Sequence, residues 1–242
     1  MPGRRVAVVT GGGHRLGAAI ARALAGAGYD LVVNYRHAAA GAADTVAAAQ
    51  AVGVRATAVQ GDMTRAADVD RLLAATLEAY GRADVLVANA GVFRRTPVDT
   101  LTEADWDAML DGNLRSSFLS TRRFGLHMRD HDGGAIVTLA DVAAFRPWAD
   151  YVPYSVAKAG VVALTIGLAK ALAPRVRVNA IAPGPVLMPA DFDAALTQRE
   201  TDRTLLRRAG RPDNVAEAVL ALVRNDYITG VVLPVDGGRA VA

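Results

Sequence analysis

The stretch that decides the fold is "RVAVVTGGGHRLG", Arg5 to Gly17. A short apolar run ends in closely spaced glycines, and a helix is predicted to begin at about Leu16. Glycines let the backbone approach a pyrophosphate, and a helix N-terminus offers unpaired N–H groups and a favourable dipole. The order of strand, glycine loop and helix predicts a dinucleotide-binding site. A tight turn without a ligand is the alternative.

The alternation of apolar runs with Ala-rich segments continues along the chain. Seven runs are predicted as strands, with helices between them: "RVAVVT", "DLVVNY", "VRATAVQ", "DVLVAN", "AIVTLA", "VRVNAIAP" and "VVLPVDGG". Strands that are apolar throughout belong to a parallel sheet covered on both faces. We predict a single α/β domain over residues 1–242, a Rossmann-type doubly wound parallel sheet with helices on both faces. The irregular region 184–208 is predicted to be a loop that covers the substrate.

Composition narrows the class of protein. A chain of 242 residues with 52% hydrophobic content can bury one sizeable core. The absence of cysteine excludes disulfides, thiolate metal sites and a cysteine nucleophile. The net charge of +3 comes from scattered arginines, which favours a solvated surface over a nucleic-acid partner.

The longest apolar stretch, Ala159 to Ala169, is shorter than the ~20 residues of a membrane span. We expect a soluble cytoplasmic protein. His127 and His131 lack a third clustered ligand, so no metal site is expected.

The end of the second predicted strand bears on the choice of cofactor. Folds that bind NAD usually place an acid there, about 20 residues after the glycine loop, to accept from the ribose 2′-OH. This chain has Asn34, Tyr35 and Arg36 instead. Arg36, together with Arg15 of the glycine loop, is predicted to bind the 2′-phosphate of NADP(H). Either arginine, alternatively, is a solvated surface residue.

Two further strand ends are candidates for the cofactor site. After the third strand, "GDMT" offers Asp62 as an acceptor for the adenine amino group, with Met63 packing beside the ring. A helix cap is the alternative for this segment. After the fourth strand, "NAG", Asn89 to Gly91, places small residues where a nicotinamide ribose can approach.

Tyr154 and Lys158 are the candidate catalytic pair. Their i, i+4 spacing places them on one face of a helix. A lysine ammonium near a buried phenol stabilises the phenolate, so Lys158 is expected to lower the pKa of Tyr154 and make it a proton donor near neutral pH. The chain has only two lysines among many arginines, and an arginine would not tune the pKa in this way. An ordinary helix face is the alternative.

Over almost its entire length the chain resembles the short-chain dehydrogenase/reductases. The shared motifs are the "TG" glycine loop, "NAG", Asn113 in "DGNLRSSF", "YSVAK", "VNAIAPGPV" and the terminal "VDGG". The resemblance implies that Tyr154 donates the proton, that Lys158 holds the nicotinamide ribose and tunes the tyrosine, and that Asn113 orders a relay water. The expected cofactor contacts are Gly11, His14, Arg15, Leu16, Tyr35, Arg36, His37, Asp62, Met63, Asn89, Ala90, Gly91, Tyr154, Lys158, Pro183, Gly184 and Val186.

Two departures from the common family pattern are informative. Arg15 stands where a third glycine is usual, and Asp141 stands where a serine is usual, thirteen residues before Tyr154. Both are similar to pteridine reductases and dihydromonapterin reductases. Those enzymes also carry an aromatic at the position of Phe93, which implies that Phe93 stacks on a pterin. Core packing is the alternative for Phe93.

The chemistry of a carboxylate fits that resemblance. Ketone reduction develops an oxyanion, which an ionised Asp141 would repel. A pterin presents N–H and amino donors, and reduction of its C=N bond makes a ring nitrogen basic. A substrate-binding set of Phe93, Asp141 and Tyr154 is therefore predicted for an NADPH-dependent pteridine reductase, a homotetramer by resemblance. The rivals are a carbonyl or 3-oxoacyl reductase and a weakly catalytic NADP(H)-sensing protein; Asp141 as a turn residue of a degenerate site is also open.

Overall fold

Seven parallel strands form one sheet in this computed structural model, which describes residues 3–188 and 192–242. The strand order is β3-β2-β1-β4-β5-β6-β7. The order reverses between β1 and β4, and ligands of such sheets bind in the crevice at this switch point. The predicted strands and fold class are confirmed. Their bounds are β1 Val6–Val9, β2 Asp30–Tyr35, β3 Ala56–Gln60, β4 Val85–Ala88, β5 Gly134–Leu139, β6 Val176–Pro183 and β7 Val232–Val235.

Helices cover both faces of the sheet. Successive residues of a strand point to opposite faces, so Ala7 and Val9 pack with α1, α2 and α8, while Val6 and Val8 pack with α3, α5 and α6. All four are fully buried, which accounts for the continuous apolar run. The helices are α1 Arg15–Gly26, α2 Ala39–Ala51, α3 Ala66–Tyr80, α4 Glu103–Leu110, α5 Ser116–Asp130, α6 Val152–Leu172, α7 Ala194–Asp202 and α8 Pro212–Arg224.

The helix α6 is apolar along much of its length. By length and composition alone, the helical stretch Ala149–Leu172 would be able to cross a membrane. Its inner face instead packs into this domain, with Ala157 and Val161 fully buried. It therefore serves as a core helix, and it carries Tyr154 and Lys158 at its N-terminal end.

The predicted substrate loop is more regular than its sequence indicated. Within 184–208 the chain forms α7, whose N-cap Asp193 accepts from the backbone N–H of Leu196 at 2.7 Å. Pro189, Ala190 and Asp191 lie outside the described residues. A short capped helix thus stands inside the segment 184–208, and its role in covering the substrate stays a prediction.

Candidate active site

One cavity of about 1210 Å³ runs along the carboxyl ends of the strands. It reaches from the glycine loop to the C-terminal segment. Every residue predicted for the site contributes to its wall: Gly11, His14, Arg15, Leu16, Tyr35, Arg36, His37, Asp62, Met63, Asn89, Ala90, Gly91, Phe93, Asn113, Asp141, Tyr154, Lys158, Pro183, Gly184 and Val186. The fold thus brings together segments that are far apart in sequence.

The glycine loop is held in place by Asn34, at the end of β2. Gly11 has a φ of +62°, a conformation that favours glycine, and its N–H donates to Asn34 Oδ1 at 3.2 Å. Gly12 N–H donates to the Asn34 carbonyl at 2.9 Å. Asn34 Nδ2 donates in turn to the Gly61 carbonyl at 3.0 Å. Sequence reasoning noted only that Asn34 is not an acid; an amide inside an apolar, fully buried strand was the signal for its anchoring role.

The end of β4 fixes the other side of the loop. Asn89 Nδ2 donates to the carbonyl of Thr10 at 2.9 Å, and Thr10 Oγ1 accepts from the N–H groups of Asn89 and Ala90, both at 3.0 Å. A Cβ at Gly17 would lie 2.3 Å from the Gly11 carbonyl oxygen, so α1 presses directly on the loop. A rigid loop with no side chain between it and a helix N-terminus fits a dinucleotide pyrophosphate.

The adenosine end of the cavity is formed by Arg36 and Asp62. Arg36 Nε lies 3.2 Å from Asp62 Oδ2, and Asp62 Oδ1 accepts from Thr64 N–H at 3.0 Å and Thr64 Oγ1 at 2.8 Å. Burial acts to raise the pKa of Asp62, but the Thr64 hydrogen bonds and Arg36 outweigh it and lower that pKa. Asp62 does not cap α3, whose N-cap is Arg65. Met63 lines the cavity but is only 3% exposed and packs mainly in the core, and its packing beside an adenine ring stays a prediction.

Arg15 of the glycine loop contacts the segment after β6. Its guanidinium donates to the carbonyls of Leu187 at 2.9 Å and Met188 at 3.3 Å, after β6. In this conformation the Arg15 side chain is engaged with the segment after β6, and its expected contact with a 2′-phosphate stays a prediction. Arg15 also has a φ of +50°, the left-handed region, which is why glycine is usual there.

Tyr154 and Asp141 form a direct hydrogen bond at the centre of the cavity. The Tyr154 hydroxyl donates to Asp141 Oδ2 at 2.8 Å. Asp141 Oδ1 accepts from Ala143 N–H at 2.8 Å and caps a 3₁₀ turn over Val142–Ala144. Asp141 therefore both caps a turn and lines the cavity. Its prediction as a site residue and the alternative of a turn residue are compatible.

Burial dominates the protonation of this group. It raises the pKa of the Asp141 carboxyl, against the opposing effects of Ala143 N–H, Lys158 and Tyr154. Burial, with the adjacent Asp141, raises the pKa of the Tyr154 hydroxyl well above its usual value. Burial also lowers the pKa of Lys158 to about 8, although Asp141 acts in the opposite direction.

The expected net lowering of the Tyr154 pKa is therefore not found, because that pKa is raised in the structure. Lys158 Nζ donates to the Leu139 carbonyl at 2.7 Å and lies 5.5 Å from the centre of the Tyr154 ring. Burial is the largest cause of the raised pKa of Tyr154, and Asp141, which touches the hydroxyl itself, adds to it.

Asn113 occupies a π-helical segment, Asp111–Arg115, between α4 and α5. Such segments frequently mark functional sites. Asn113 Nδ2 donates to the carbonyls of Val92 and Met109, each at 2.9 Å, and Oδ1 accepts from Val92 N–H at 3.2 Å. A Cβ at Gly91 would lie 2.8 Å from Asn113 Oδ1, which explains the glycine of "NAG". The ordering of a relay water by Asn113 stays a prediction.

Phe93 belongs to an aromatic wall of the cavity. Its ring stacks on Tyr151 with centroids 4.6 Å apart and an interplanar angle of 15°, and meets Tyr154 edge-on at 4.8 Å. Trp148 belongs to the same aromatic group, with its ring centroid 6.2 Å from that of Phe93. Phe93 is 39% exposed, so core packing does not account for it.

Further side chains line the cavity that the sequence analysis did not single out, most of them within the segment 184–208 predicted to cover the substrate. They come from the segment around α7 and from the C-terminal turn: Phe192, Leu196, Arg199, Glu200, Arg203 and Arg239. Among residues 3–188 and 192–242, no group of three His, Asp or Glu side chains is placed to hold a metal ion.

A doubly wound sheet with a glycine loop at its switch point and a Tyr–Lys pair in the same cavity defines a dinucleotide-dependent oxidoreductase. Residues 13–240 match the family described as enoyl-(acyl carrier protein) reductase. The chain belongs to the short-chain dehydrogenase/reductase family, whose members use NAD(P)(H).

Relatives and solved structures cover the chain almost completely. The 3-oxoacyl-[acyl-carrier-protein] reductase of Synechocystis sp. is 38% identical, over 98% of this chain and 97% of its own. The 3beta-hydroxysteroid dehydrogenase 1 of Eggerthella lenta is 38% identical, over 98% and 94%. A variant of a Serratia marcescens short-chain dehydrogenase/reductase superposes with a TM-score of 0.92 at 33% identity, over 98% of both chains. These similarities extend over the whole domain and do not identify the substrate of this protein.

Proposed function

We propose that this protein is an NADPH-dependent reductase of an oxidised pteridine. The observation that carries the proposal is the hydrogen bond between Tyr154 and Asp141, 2.8 Å long and set in the wall of the cavity. A carboxyl group in contact with the proton-donating hydroxyl distinguishes this site from one built around a serine.

The pair suits a nitrogen heterocycle. With a raised pKa, Asp141 is able to hold a proton as well as to accept one, so the pair can share a proton between two oxygens. The ionised carboxylate accepts from the N–H and amino groups that a pterin presents. Tyr154 then stands next to a ring nitrogen that becomes basic as its C=N bond is reduced, and it gives its proton to that nitrogen. If Asp141 is protonated when substrate binds, its proton passes to the Tyr154 phenolate and leaves the carboxylate ionised; if Asp141 is already ionised, the phenolate takes its proton from water.

The aromatic wall supports a flat substrate. Phe93 is stacked on Tyr151 and is partly exposed to the cavity. An exposed face of this kind offers a planar ring more contact area than an aliphatic ketone would use. The wall adjoins the hydroxyl of Tyr154, which meets the Phe93 ring edge-on.

The choice of NADPH over NADH rests on Arg36. NADPH, when bound, supplies the hydride. Arg36 stands at the end of β2, where an NAD-binding fold would carry an acid, and its guanidinium can pair with a 2′-phosphate. Asp62 at 3.2 Å orients Arg36 without burying it. Lys158 and Asn113, both buried, are the residues assigned to the nicotinamide ribose and the relay water.

Reduction of a carbonyl or 3-oxoacyl group is the second candidate. The relatives named above favour it, since one is a 3-oxoacyl-[acyl-carrier-protein] reductase. A protonated Asp141 would be a neutral donor to a developing oxyanion, as a serine hydroxyl is. An NADP(H)-sensing role is the least supported, because Tyr154, Lys158 and Asn113 are all present.

The deciding experiment compares two substrates and two proteins. Wild type and Asp141→Ser are assayed with NADPH on dihydrobiopterin and on an activated small ketone. We expect the substitution to remove most pterin reduction and to leave ketone reduction level or higher, because it removes a charge that opposes an oxyanion. NADPH affinity, measured in both proteins, shows whether the substitution has damaged the part of the cavity that binds the cofactor. A parallel fall on both substrates, or survival of pterin turnover, would favour the carbonyl reductase.

We further infer that the protein acts in the cytoplasm as a homotetramer. Large apolar side chains stay exposed on the outer faces of α5 and α6, namely Phe118, Val152, Val156 and Ile166. Contact between copies of the chain would cover them. Light scattering at several protein concentrations tests the assembly.

A further inference from the structure

Arg239 is a buried cation in the wall of the substrate cavity. It follows β7 in the C-terminal turn, is 8% exposed, and lines the same space as Asp141 and Tyr154. A guanidinium withdrawn from water needs compensating partners for its five N–H donors. The partners of Arg239 therefore indicate what the site is built to bind.

The turn that carries Arg239 is fixed from both sides. Gly237 and Gly238 have φ of +63° and +81°, so the chain bends in a way that favours glycine. Both Asp236 oxygens accept backbone N–H groups, from Gly238 at 2.9 Å and Ala240 at 2.7 Å. Arg146 Nη1 donates to the Arg239 carbonyl at 3.5 Å and to the carbonyl of Ala242. The Arg239 backbone is thus held in position before any substrate arrives.

The charge of Arg239 is only partly compensated. Within the described chain, its one ion pair is with Glu200 of α7, at 3.5 Å, and its guanidinium makes no hydrogen bond. Glu200 is shared, because Arg203 lies at 2.7 Å and Arg199 at 3.9 Å from its carboxylate. Three guanidiniums thus surround a single carboxylate at the substrate end of the cavity. A second anion would complete the arrangement.

We propose that Arg239 binds a carboxylate on the tail of the substrate, so that the enzyme prefers acids over their neutral esters. The inference rests on the proposed function in that this cavity takes the substrate. The guanidinium fork matches a carboxylate in a bidentate manner. A pteridine whose side chain ends in carboxylates and a 3-oxo acid both carry this group, and the experiment separates them.

A purely structural role for the Glu200–Arg239 pair makes the opposite prediction for one variant. If the pair only holds α7 against the C-terminal turn, removing either partner harms ligand binding equally. If Arg239 binds a substrate anion, Glu200 competes for it, and Glu200→Gln strengthens the binding of acids.

The test measures affinity rather than turnover. Two matched pairs of probes are titrated by calorimetry in the presence of NADP⁺: folate with its dimethyl ester, and 3-oxobutanoate with its methyl ester. For at least one pair, wild type should bind the acid about tenfold more tightly than the ester. Arg239→Gln should weaken the acid about tenfold and leave the ester unchanged, Arg239→Lys should restore part of the preference, and Glu200→Gln should tighten the acid roughly threefold.

Several results would overturn the inference. They are equal binding of acid and ester in both pairs, no measurable binding of either acid, or weaker acid binding in Glu200→Gln. If Arg239→Gln fails to fold, Glu200→Gln carries the decision alone. Tighter binding of the acid than of its ester, seen only for the 3-oxobutanoate pair, would contradict the pteridine proposal and support the carboxylate site. Equally tight binding of folate and its dimethyl ester, with no binding of either 3-oxobutanoate probe, would contradict the carboxylate site and keep the pteridine proposal.

Discussion

The two halves of the cavity are built in different ways. At the adenosine half, the glycine loop, Asn34 and Asn89 are joined by hydrogen bonds between the ends of β1, β2, β3 and β4. At the substrate half, side chains converge from segments that are far apart in the chain. Asp141 and Tyr154 come from either side of a loop, Phe93 follows β4, and Arg239 follows β7.

This difference bears on why relatives of similar identity bear the names of enzymes with different substrates. Backbone groups and small residues bind a pyrophosphate that all members share, so the geometry at the adenosine half depends little on side-chain identity. The substrate half depends on charge and shape, which a single substitution such as serine to Asp141 changes. Two relatives of equal identity accordingly bear the names of a 3-oxoacyl reductase and a hydroxysteroid dehydrogenase.

The largest expected effect is in the substrate half. Tyr154→Phe removes the proton donor and keeps the ring in place, so turnover should fall by about two orders of magnitude or more. NADPH affinity should stay within about twofold, because the hydroxyl contacts Asp141 rather than the glycine loop. Steady-state rates and a cofactor titration check both halves together. Turnover at the wild-type level would show that the proton comes from another group.

A second prediction concerns the buried Lys158 between the halves. Its pKa is lowered to about 8 from the ordinary 10.5, so the folded protein binds fewer protons than the unfolded chain between these values. Stability contributed through this group therefore rises with pH. Between pH 7.5 and 9.5 the free energy of unfolding of wild type should gain about 2 kcal/mol relative to Lys158→Met. Urea unfolding of both proteins across this range measures it; parallel pH profiles would contradict the lowered pKa.

The adenosine half was the easier one to predict from the sequence. Strand, glycine loop and helix follow one another within Arg5 to Gly17, and local pattern is enough to place them. The role of Asn34 was missed: an amide within an apolar run was a signal, but its three partners lie in other segments and are known only from the fold.

The electrostatics of the substrate half could not be predicted from the sequence, for a physical reason. The pKa of Tyr154 is raised first by burial and then by contact with Asp141, and spacing along the chain determines neither. Arg239 enters the cavity from the C-terminal turn, and nothing in its local sequence links it to Tyr154. The segment 184–208 was assigned to the substrate from its irregular sequence, but neither the individual side chains of α7 nor the electrostatics around Tyr154 were predicted.

A third prediction tests the division within the cofactor half. Arg36→Ala should weaken NADPH about tenfold and leave NADH nearly unchanged, because only NADPH carries the 2′-phosphate. Arg15→Ala should weaken both cofactors to a similar extent, since its guanidinium lies at the loop after β6. Fluorescence titrations with the two cofactors measure the four affinities in question. A selective loss of NADPH affinity in Arg15→Ala would confirm the predicted contact of Arg15 with the 2′-phosphate.

The smallest expected effect is on the free energy of unfolding and concerns Arg15, which links the glycine loop to the segment after β6. This residue holds a φ of +50°, which costs a non-glycine residue about 1 kcal/mol that a glycine avoids. Its side chain returns hydrogen bonds to the carbonyls of Leu187 and Met188, each worth about 1 kcal/mol at most where exposed. Arg15→Gly should therefore change the free energy of unfolding by less than about 1 kcal/mol, whereas Arg15→Ala, which loses the bonds and keeps the strain, should be the less stable of the two. Thermal unfolding of the three proteins ranks them. If Arg15→Gly is no more stable than Arg15→Ala, the left-handed conformation carries no strain, and the family's usual glycine is explained by space for the cofactor alone.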